Sequence, residues 1–467
     1  MDDQQKVVGR VAALERELAE LRRLLAERDA LLAERDARIA ELEEELRRRD
    51  KNYRPKPNSP PRKKSVDRRR KGQRRHGGFF RQQPQAAEVT HHHDVYADSC
   101  PHCQGSNLTP TKDFTDHVQV DLPEPKLEVH RFRRHVMHCP DCNRTCQGRA
   151  DLELPGAHVG PRARWLAAYA RAHLGISLGK TTALFAEWFG LAESRAGVLG
   201  HVKWAGKLCD PVVQKLLEML RASSVVFADE TGWRINGKDV WAWCFGNPQL
   251  AVFLIHQHRN RAVLHAALGD TLPGVLVSDF YAVYDGIDCL KQRCLVHLLR
   301  ELHRLRETLP ARSVSYFIQP VMDLLQDAIA LGKRRGTMGA KAYAAARQSI
   351  HDRLDALIGG KSPRQADCLR MWHRLFKHCG ELFTFLDHAD VPSDNSAAER
   401  DIRSVAAARS DGGVNRTAWG ATAFANIKSV VRTCQKQGRG FVDYGLSLVR
   451  ATLAGQPPPL PLLIDSS

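Results

Sequence analysis

The chain has 467 residues, of which 43% are hydrophobic and 26% are charged. This composition excludes a wholly disordered chain, and at about 150 residues per domain the length predicts roughly three domains. No apolar run reaches the roughly 20 residues of a membrane-spanning helix, and no signal-peptide core is present, so we expect a cytoplasmic protein without membrane contact. Lysine and arginine (70) exceed aspartate and glutamate (53) by 17. Such an excess favours a polyanionic partner, most often nucleic acid.

Residues 1–50 carry a heptad pattern. Apolar residues recur every seventh position at one core site: Val11, Leu18, Leu25, Leu32, Ile39 and Leu46. Leu14, Leu21 and Leu42 occupy the second core site, which Arg28 and Arg35 interrupt. A solitary solvated helix would not need so long a seam. The pattern therefore predicts a coiled coil through which the chain forms a homo-oligomer.

Residues 51–95 are predicted to be a disordered basic linker. Thirteen lysines or arginines between Lys51 and Arg81 stand against one acid, Asp67, which gives a local charge of +12. Four prolines in the same stretch argue against a regular helix or strand. A solubilising tether or a localisation tract would have a similar composition, but we favour binding to DNA phosphates. The cations assigned to this contact are Arg62, Lys63, Lys64, Arg68, Arg69 and Arg70.

Two Cys-x2-Cys pairs lie within residues 96–150. The first is Cys100 with Cys103 and the second is Cys139 with Cys142. Four thiolates bind zinc tetrahedrally, and the two-residue spacing lets both sulfurs of a turn reach one ion. Alternating apolar residues between 118 and 132 predict short strands that join the pairs into a zinc ribbon. Substitution of one ligand by Cys146 or His102, or buried cysteines without metal, are the alternatives.

Residues 151–222 are predicted to be helical. One helix has an apolar face around Trp165, and a break at Gly175 separates it from a second helix. A turn at residues 190–191 precedes a third helix, expected from about residue 193 to 204. This order is typical of a helix-turn-helix, although any antiparallel helical pair looks similar. The candidate DNA contacts are Ser194, Arg195 and His201.

The period changes in residues 223–410. Three short apolar runs at 225–228, 240–243 and 252–255 predict a meander of three strands. A helix near 263–268 and a fourth strand at 274–277 follow. Three strands, a helix and a strand are the order of the ribonuclease H-like fold. We therefore predict a multidomain α/β protein whose catalytic domain covers 223–410, with a helical insertion at about 298–390, and whose C-terminal region, 411–467, is helical.

Acidic residues stand at informative places in this domain. Asp229 is predicted to close the first strand and Asp279 the fourth, and these strands are neighbours in that fold. Phosphoryl transfer with two magnesium ions requires carboxylates on neighbouring elements, and Glu399 is the candidate third acid. Taken singly, each acid could be a strand end or part of a helix capping box. The three together favour a metal site. The competing acids are Glu230, which should face away from Asp229, and Asp285, Asp288 and Asp394.

Three strings carry a family resemblance: residues 228–234 (ADETGWR), 278–284 (SDFYAVY) and 394–403 (DNSAAERDIR). They resemble the three blocks of the insertion sequence 66 family of bacterial DDE transposases, and the resemblance extends over nearly the whole chain. It implies that Asp229, Asp279 and Glu399 hold Mg²⁺ or Mn²⁺. It further implies that the protein cleaves the ends of its own element and joins them to target DNA, often with small accessory proteins encoded beside it.

Two further groups accompany the triad. Cys294 and His297 are similar to a Cys-x-x-His string of many such transposases; they either support the active-site wall or form a buried core pair. Three arginines on or after the last block are candidate DNA contacts: Arg403, Arg409 and Arg416. The glycines between the last two arginines fit a phosphate-binding segment or a plain surface turn. The alternative functions are a non-catalytic zinc-ribbon DNA-binding regulator and a nuclease of the same fold.

Overall fold

The computed structural model describes Arg23 and residues 84–111, 115, 117–412 and 415–462. Apart from Arg23, the predicted coiled coil lies outside the described residues. The six basic residues assigned to DNA contact in the linker also lie outside them. The chain divides into two units, Met1–Asp121 and Leu122–Ser467. In the part of the chain that is described, no helix is long and apolar enough to cross a membrane.

The first unit contains little regular structure among its described residues. A 3₁₀ helix spans Ala86–Glu88. A tight turn follows at Cys100, whose carbonyl accepts a hydrogen bond from Gln104 N at 2.8 Å.

The second unit begins with a short antiparallel hairpin. Strand β1 is Val136–Cys139, strand β2 is Arg144–Gln147, and Cys139 pairs with Arg144. The short strands expected between 118 and 132 are wrong, since no described residue from 117 to 135 is in a strand. Alternation predicts a strand only where a neighbouring strand and a second layer cover it. Here the alternating side chains face solvent, as with Val129, which is 88% exposed.

Three helices follow the hairpin: α1 Pro161–Ala172, α2 Leu178–Phe189 and α3 Arg195–Arg221. The predicted breaks are confirmed, because Gly175 and Gly190 have φ values of +69° and +64°, which favour glycine. The predicted end of the third helix at residue 204 is wrong. The helix continues through Pro211, since apolar residues beyond it, such as Val212 and Leu216, keep the helical period and are fully buried.

A five-stranded sheet forms the centre of this unit. Its strands are β3 Val225–Ile235, β4 Lys238–Gly246, β5 Ala251–His256, β6 Thr271–Ser278 and β7 Asp288–Arg293, with α4, Arg261–Leu268, between β5 and β6. The order is β5-β4-β3-β6-β7, in which β4 is antiparallel to both neighbours and the other pairings are parallel. The predicted meander, helix and fourth strand beside the first are confirmed. The fifth strand was not predicted, because its sequence, DCLKQR, has no apolar run.

Strand β3 is longer than the sequence suggests. Asp229 was expected to close it, but the strand continues to Ile235 and turns back at Asn236 and Gly237. Both turn residues have positive φ, 51° and 78°, as a two-residue hairpin requires. Cross-strand pairing with β4 keeps residues 229–235 extended despite their polar composition. Asp229 therefore lies inside a strand.

Helices cover the remaining chain. Between β7 and the last acidic block lie α5 Leu295–Thr308, a turn at Ala311–Ser313 continued by a π-helical turn at Val314–Ile318, α6 Gln319–Lys333, α7 Ala340–Gly359 and α8 Ala366–Lys377. Then follow α9 Ser396–Gly412, α10 Ala418–Lys436 and α11 Phe441–Leu453.

Alternate residues of β3 belong to two different apolar cores. Val226 and Ala228 lie in the core that includes helices α3 and α10. Val225 and Phe227 lie in the core that includes α5 and α6. Since side chains alternate along a strand, these cores cover opposite faces of the sheet.

Candidate active site

Asp229 and Asp279 lie level on adjacent parallel elements. Phe227 of β3 pairs with Val277 of β6, and each aspartate stands two residues further along its chain. Asp229 therefore shares a face of β3 with Phe227, and Asp279 follows directly after the last residue of β6. Tyr281 N donates to Asp279 Oδ1 at 2.8 Å, which fixes the second carboxylate just beyond the end of β6.

The charge of neighbouring acids acts on Asp229. Burial, then the charge of Glu230, and then the charges of Asp279 and Glu399 raise the pKa of Asp229 to about 7. The backbone N–H of Glu230, 2.9 Å from Asp229 Oδ1, opposes this shift. When neighbouring carboxylates raise the pKa of one acid in a cluster, that cluster favours the binding of a cation.

Glu399 reaches this region from the first turn of α9. Asn395, just before the helix, donates from Nδ2 to Ala228 O at 2.8 Å and so ties the helix start to the strand beside Asp229. The Glu399 side chain is 17% exposed; its Oε1 lies 3.5 Å from His297 Nδ1 and its Oε2 lies 3.6 Å from an Arg300 nitrogen. The carboxylate thus faces side chains of α5.

Cys294 and His297 lie at this end of α5. The Cys294 sulfur, one His297 ring nitrogen and one Glu399 carboxylate oxygen are all within 4.8 Å of one another. Cys294 is fully buried, and burial raises the pKa of its thiol. The Cys-x-x-His pair and the third acid therefore form one cluster, a relationship between residues about 100 positions apart.

Each competing acid has other contacts. Glu230 points to the opposite face from Asp229, as expected, and accepts hydrogen bonds from Arg259 and from the Tyr284 hydroxyl. Asp394 Oδ1 accepts from Ser396 N at 2.8 Å, in the turn before α9. Asp285 forms ion pairs with Arg293 and Lys377. Burial acts to raise the pKa of Asp285, but the two cations outweigh it and lower that pKa. Asp288 is exposed at the start of β7.

Arg259 lies beside the candidate site, a placement that the sequence did not reveal. Its guanidinium lies 4.5 Å from the ring centre of Trp241 and 3.9 Å from that of Tyr281. Tyr281 is the residue whose N–H holds Asp279. No local motif marks Arg259, since its partners come from other strands and loops.

The two cysteine pairs, one in each unit, have the same local backbone. Backbone N–H groups of the residues two and three positions further on lower the pKa of Cys100 and of Cys139. The residue after each pair, Gln104 or Asn143, has a positive φ of 61° or 53°. Donors aimed at the first sulfur favour the thiolate, which is the form that binds zinc. The alternative ligands His102 and Cys146 are both exposed.

The candidate DNA contacts of α3 differ in exposure. Arg195 is exposed at the helix start. Ser194 Oγ accepts from Gly197 N at 2.9 Å and so caps the helix. His201 is only 6% exposed and lies 3.6 Å from Glu193, so its predicted DNA contact is wrong. The helical period places His201 on the side of α3 that faces the core. Its polar side chain had suggested an exposed position.

The arginines around the last block also differ. Arg403 and Arg416 are exposed. Arg409 donates to the Gly232 carbonyl on β3, so it braces the hairpin. Helix α9 continues through Gly412, and residues 413 and 414 of the predicted phosphate-binding segment lie outside the described residues.

Two family models match the chain. The model described as "Transposase IS66 family" matches residues 157–423, and the model described as "zinc-finger binding domain of transposase IS66" matches residues 97–143. The first match contains all three acids with Cys294 and His297, and the second contains all four paired cysteines. No curated protein matches the chain.

Proposed function

Because the chain belongs to the IS66 family of transposases, we propose that it binds the ends of its own insertion element, cleaves them and joins them to target DNA. The chemistry is metal-dependent phosphoryl transfer in the cytoplasm. The zinc-finger region within the chain supports DNA as the partner. Small accessory proteins of the same element are further proposed partners.

The proposed catalytic residues are Asp229, Asp279 and Glu399. The observation that carries this assignment is the level placement of the two aspartates, Asp229 within β3 and Asp279 just beyond the end of the paired parallel strand β6, with Glu399 close enough for its charge to raise the pKa of Asp229. Three neighbouring acids fit Mg²⁺ or Mn²⁺, which prefer oxygen ligands. A bound divalent ion supplies charge neutralisation at the phosphate and activation of the attacking hydroxyl.

The protein's own groups hold and orient this site. The rigid sheet fixes Asp229, the Tyr281 N–H fixes Asp279, and Asn395 anchors the helix that carries Glu399. The acids act as ligands, so no covalent bond between protein and DNA is needed. Water serves as nucleophile for cleavage and the freed 3′ hydroxyl for joining.

We also propose that the catalytic domain has the ribonuclease H-like fold. The strand order β5-β4-β3-β6-β7, with only β4 reversed, supports this assignment. The helices between β7 and α9 form the proposed insertion between the second and third acids.

The remaining modules serve DNA binding and assembly in this proposal. The four paired cysteines, Cys100, Cys103, Cys139 and Cys142, bind one zinc ion. Residues 1–50 form the coiled coil of a homo-oligomer, and the basic linker contacts DNA phosphates.

The test compares Asp229→Asn, Asp279→Asn and Glu399→Gln with the wild type. Each change keeps side-chain size but removes a charge that a hard cation requires, so strand cleavage and joining should be abolished while DNA binding and circular dichroism are kept. Asp394→Asn is the matched control and should stay active, because asparagine can accept the same hydrogen bond from Ser396 N. The readouts are gel-shift binding and joining of labelled element ends in magnesium.

Three outcomes would contradict this function. Normal joining by any of the three variants removes that residue from the triad. Loss of DNA binding by all three favours structural acids and a DNA-binding regulator. Cleavage without joining by the wild type favours a nuclease.

A further inference from the structure

Cys294, His297 and Glu399 form a compact cluster of metal-binding side chains. One potential ligand atom from each lies within 4.8 Å of the other two. Within this cluster, His297 Nδ1 and Glu399 Oε1 are 3.5 Å apart.

Two atoms of the cluster lack hydrogen-bond partners. His297 Nδ1 and Glu399 Oε1 are both buried, and neither has a partner in the described part of the chain. Buried polar atoms are almost always satisfied, so two unsatisfied atoms that face each other require an explanation. A cation between them would satisfy both.

The spacing fits a tetrahedral ion. With bonds of about 2.0–2.2 Å from zinc to nitrogen and oxygen, two ligand atoms of a tetrahedron lie about 3.3–3.5 Å apart. The observed 3.5 Å between His297 Nδ1 and Glu399 Oε1 matches that edge. A direct hydrogen bond would normally be shorter.

The donor set selects the kind of ion. A cysteine sulfur and an imidazole favour zinc over magnesium, and carboxylate is a common third ligand of zinc. Cys294 and His297 are three residues apart at the start of α5, so they share one side of the helix. Backbone N–H groups of Asn395, Val296 and His297 are directed at the Cys294 sulfur, Asn395 N at 3.2 Å.

Exposure leaves room for a fourth ligand. The Cys294 side chain is fully buried, while the side chains of His297 and Glu399 are 38% and 17% exposed. The facing donor atoms of His297 and Glu399 are themselves buried, and a zinc ion with three protein ligands commonly takes a water as its fourth. Arg300 lies near Glu399 Oε2, which is the carboxylate oxygen that does not face His297.

We propose that Cys294, His297 and Glu399 bind one zinc ion, separate from the zinc at the paired cysteines. The wild-type chain then binds two zinc ions. The consequence for activity rests on the proposed function: zinc at this site withdraws Glu399 from the magnesium-binding triad and inhibits joining.

The test is zinc counting on the full-length protein after equilibrium dialysis against zinc with excess magnesium. We expect two zinc ions per chain in the wild type and one in Cys294→Ser and in His297→Ala. Cys368→Ser, which changes another buried cysteine, should retain two, as should Asp279→Asn. His297 is partly exposed, so its replacement should leave the fold intact, which circular dichroism checks.

Two results would overturn the site. One is a wild type with a single zinc ion, and the other is a full count in both Cys294→Ser and His297→Ala. Loss of the second ion in Asp279→Asn, with its retention in Cys294→Ser, would place the ion in the triad and would also refute the proposal.

Cobalt substitution gives a second readout that does not depend on activity. The thiolate–cobalt charge-transfer absorption should be weaker in Cys294→Ser than in wild type. This decrease should be smaller than the decrease caused by removing the paired cysteines. Identical spectra for Cys294→Ser and wild type would contradict a Cys294 ligand. A wild type that binds two zinc ions on dialysis, but fails to join DNA in magnesium even when it holds only one zinc ion, would refute the proposed function and leave this site standing.

Discussion

Arg259 Nε donates a hydrogen bond of 3.0 Å to Glu230 Oε1. The guanidinium is also stacked against Tyr281, whose N–H holds Asp279. Glu230 itself is almost fully buried, with 2% of its side chain exposed. The ion pair of Arg259 and the buried Glu230 is therefore linked through Tyr281 to Asp279, a proposed catalytic acid.

Replacement of Arg259 should destabilise the protein. Arg259→Gln leaves the buried Glu230 without its charged partner, and we expect the free energy of unfolding to fall by about 1–3 kcal/mol. Urea unfolding followed by circular dichroism measures it. Glu187→Gln, at an exposed helical position, is the control and should change stability little. Equal stability of the two variants would show that the Glu230 ion pair contributes nothing.

The adjacent placement of Asp229 and Asp279 could be predicted because local patterns marked the strands that precede or contain them. The runs around Phe227 and Val277 are continuously apolar, and pairing of such strands in parallel carries the following acids to one place. Glu399 has no such signal, since its preceding helix start also fits a capping box. It was a candidate only as the acid that completes a set of three, and the resemblance of residues 394–403 to the family block supported that choice.

Other features could not be predicted because they depend on tertiary contacts. The pairing of Arg259 with Glu230 crosses 29 positions and two strands. The approach of His297 to Glu399 crosses the whole helical insertion. Conversely, the apolar alternation near Val129 predicted strands that did not form, because periodicity says nothing about whether a partner strand is present.

Loss of the paired cysteines should remove one zinc ion. In Cys100→Ser with Cys139→Ser, each pair keeps one sulfur, which is too few for a closed tetrahedral site. Elemental analysis of the purified protein gives the count, and Cys209→Ser, at a buried cysteine outside the pairs, is the control. An unchanged count in the double variant would exclude this site.

The basic linker should make DNA affinity sensitive to salt. Cations that neutralise phosphates release counterions, with a slope of about 0.9 in log affinity against log salt for each phosphate contacted. A variant with glutamine at the thirteen cations of 51–81 keeps the length of the linker and should show a smaller slope. Fluorescence anisotropy at several salt concentrations measures both proteins. Parallel slopes would remove the linker from the DNA contact.

The raised pKa of Asp229 should make stability depend on pH in the absence of added magnesium. Its ordinary value is 3.8, and burial with the neighbouring acids raises the folded-state pKa to about 7. Between these values the unfolded chain has already released the proton that the folded chain keeps. The unfolded state then binds fewer protons, so by linkage stability falls as pH rises through this window. Below pH 3.8 Asp229 is protonated in both states and does not lower the free energy of unfolding. Above pH 7 it is ionised in both states and lowers that free energy by the full amount.

Asp229→Asn removes this titration and should therefore gain stability relative to wild type as pH rises from 4 to 8. The gain is at most about 4 kcal/mol, from about 1.4 kcal/mol for each pH unit between the two pKa values. Thermal unfolding of both proteins across this range measures the difference, and Asp394→Asn, the same change outside the triad, is the control. Magnesium binds the ionised carboxylate, so it should stabilise wild type more at pH 8 than at pH 5 and Asp229→Asn less at either pH. A difference between wild type and Asp229→Asn that does not change with pH would show that Asp229 ionises normally in the folded protein.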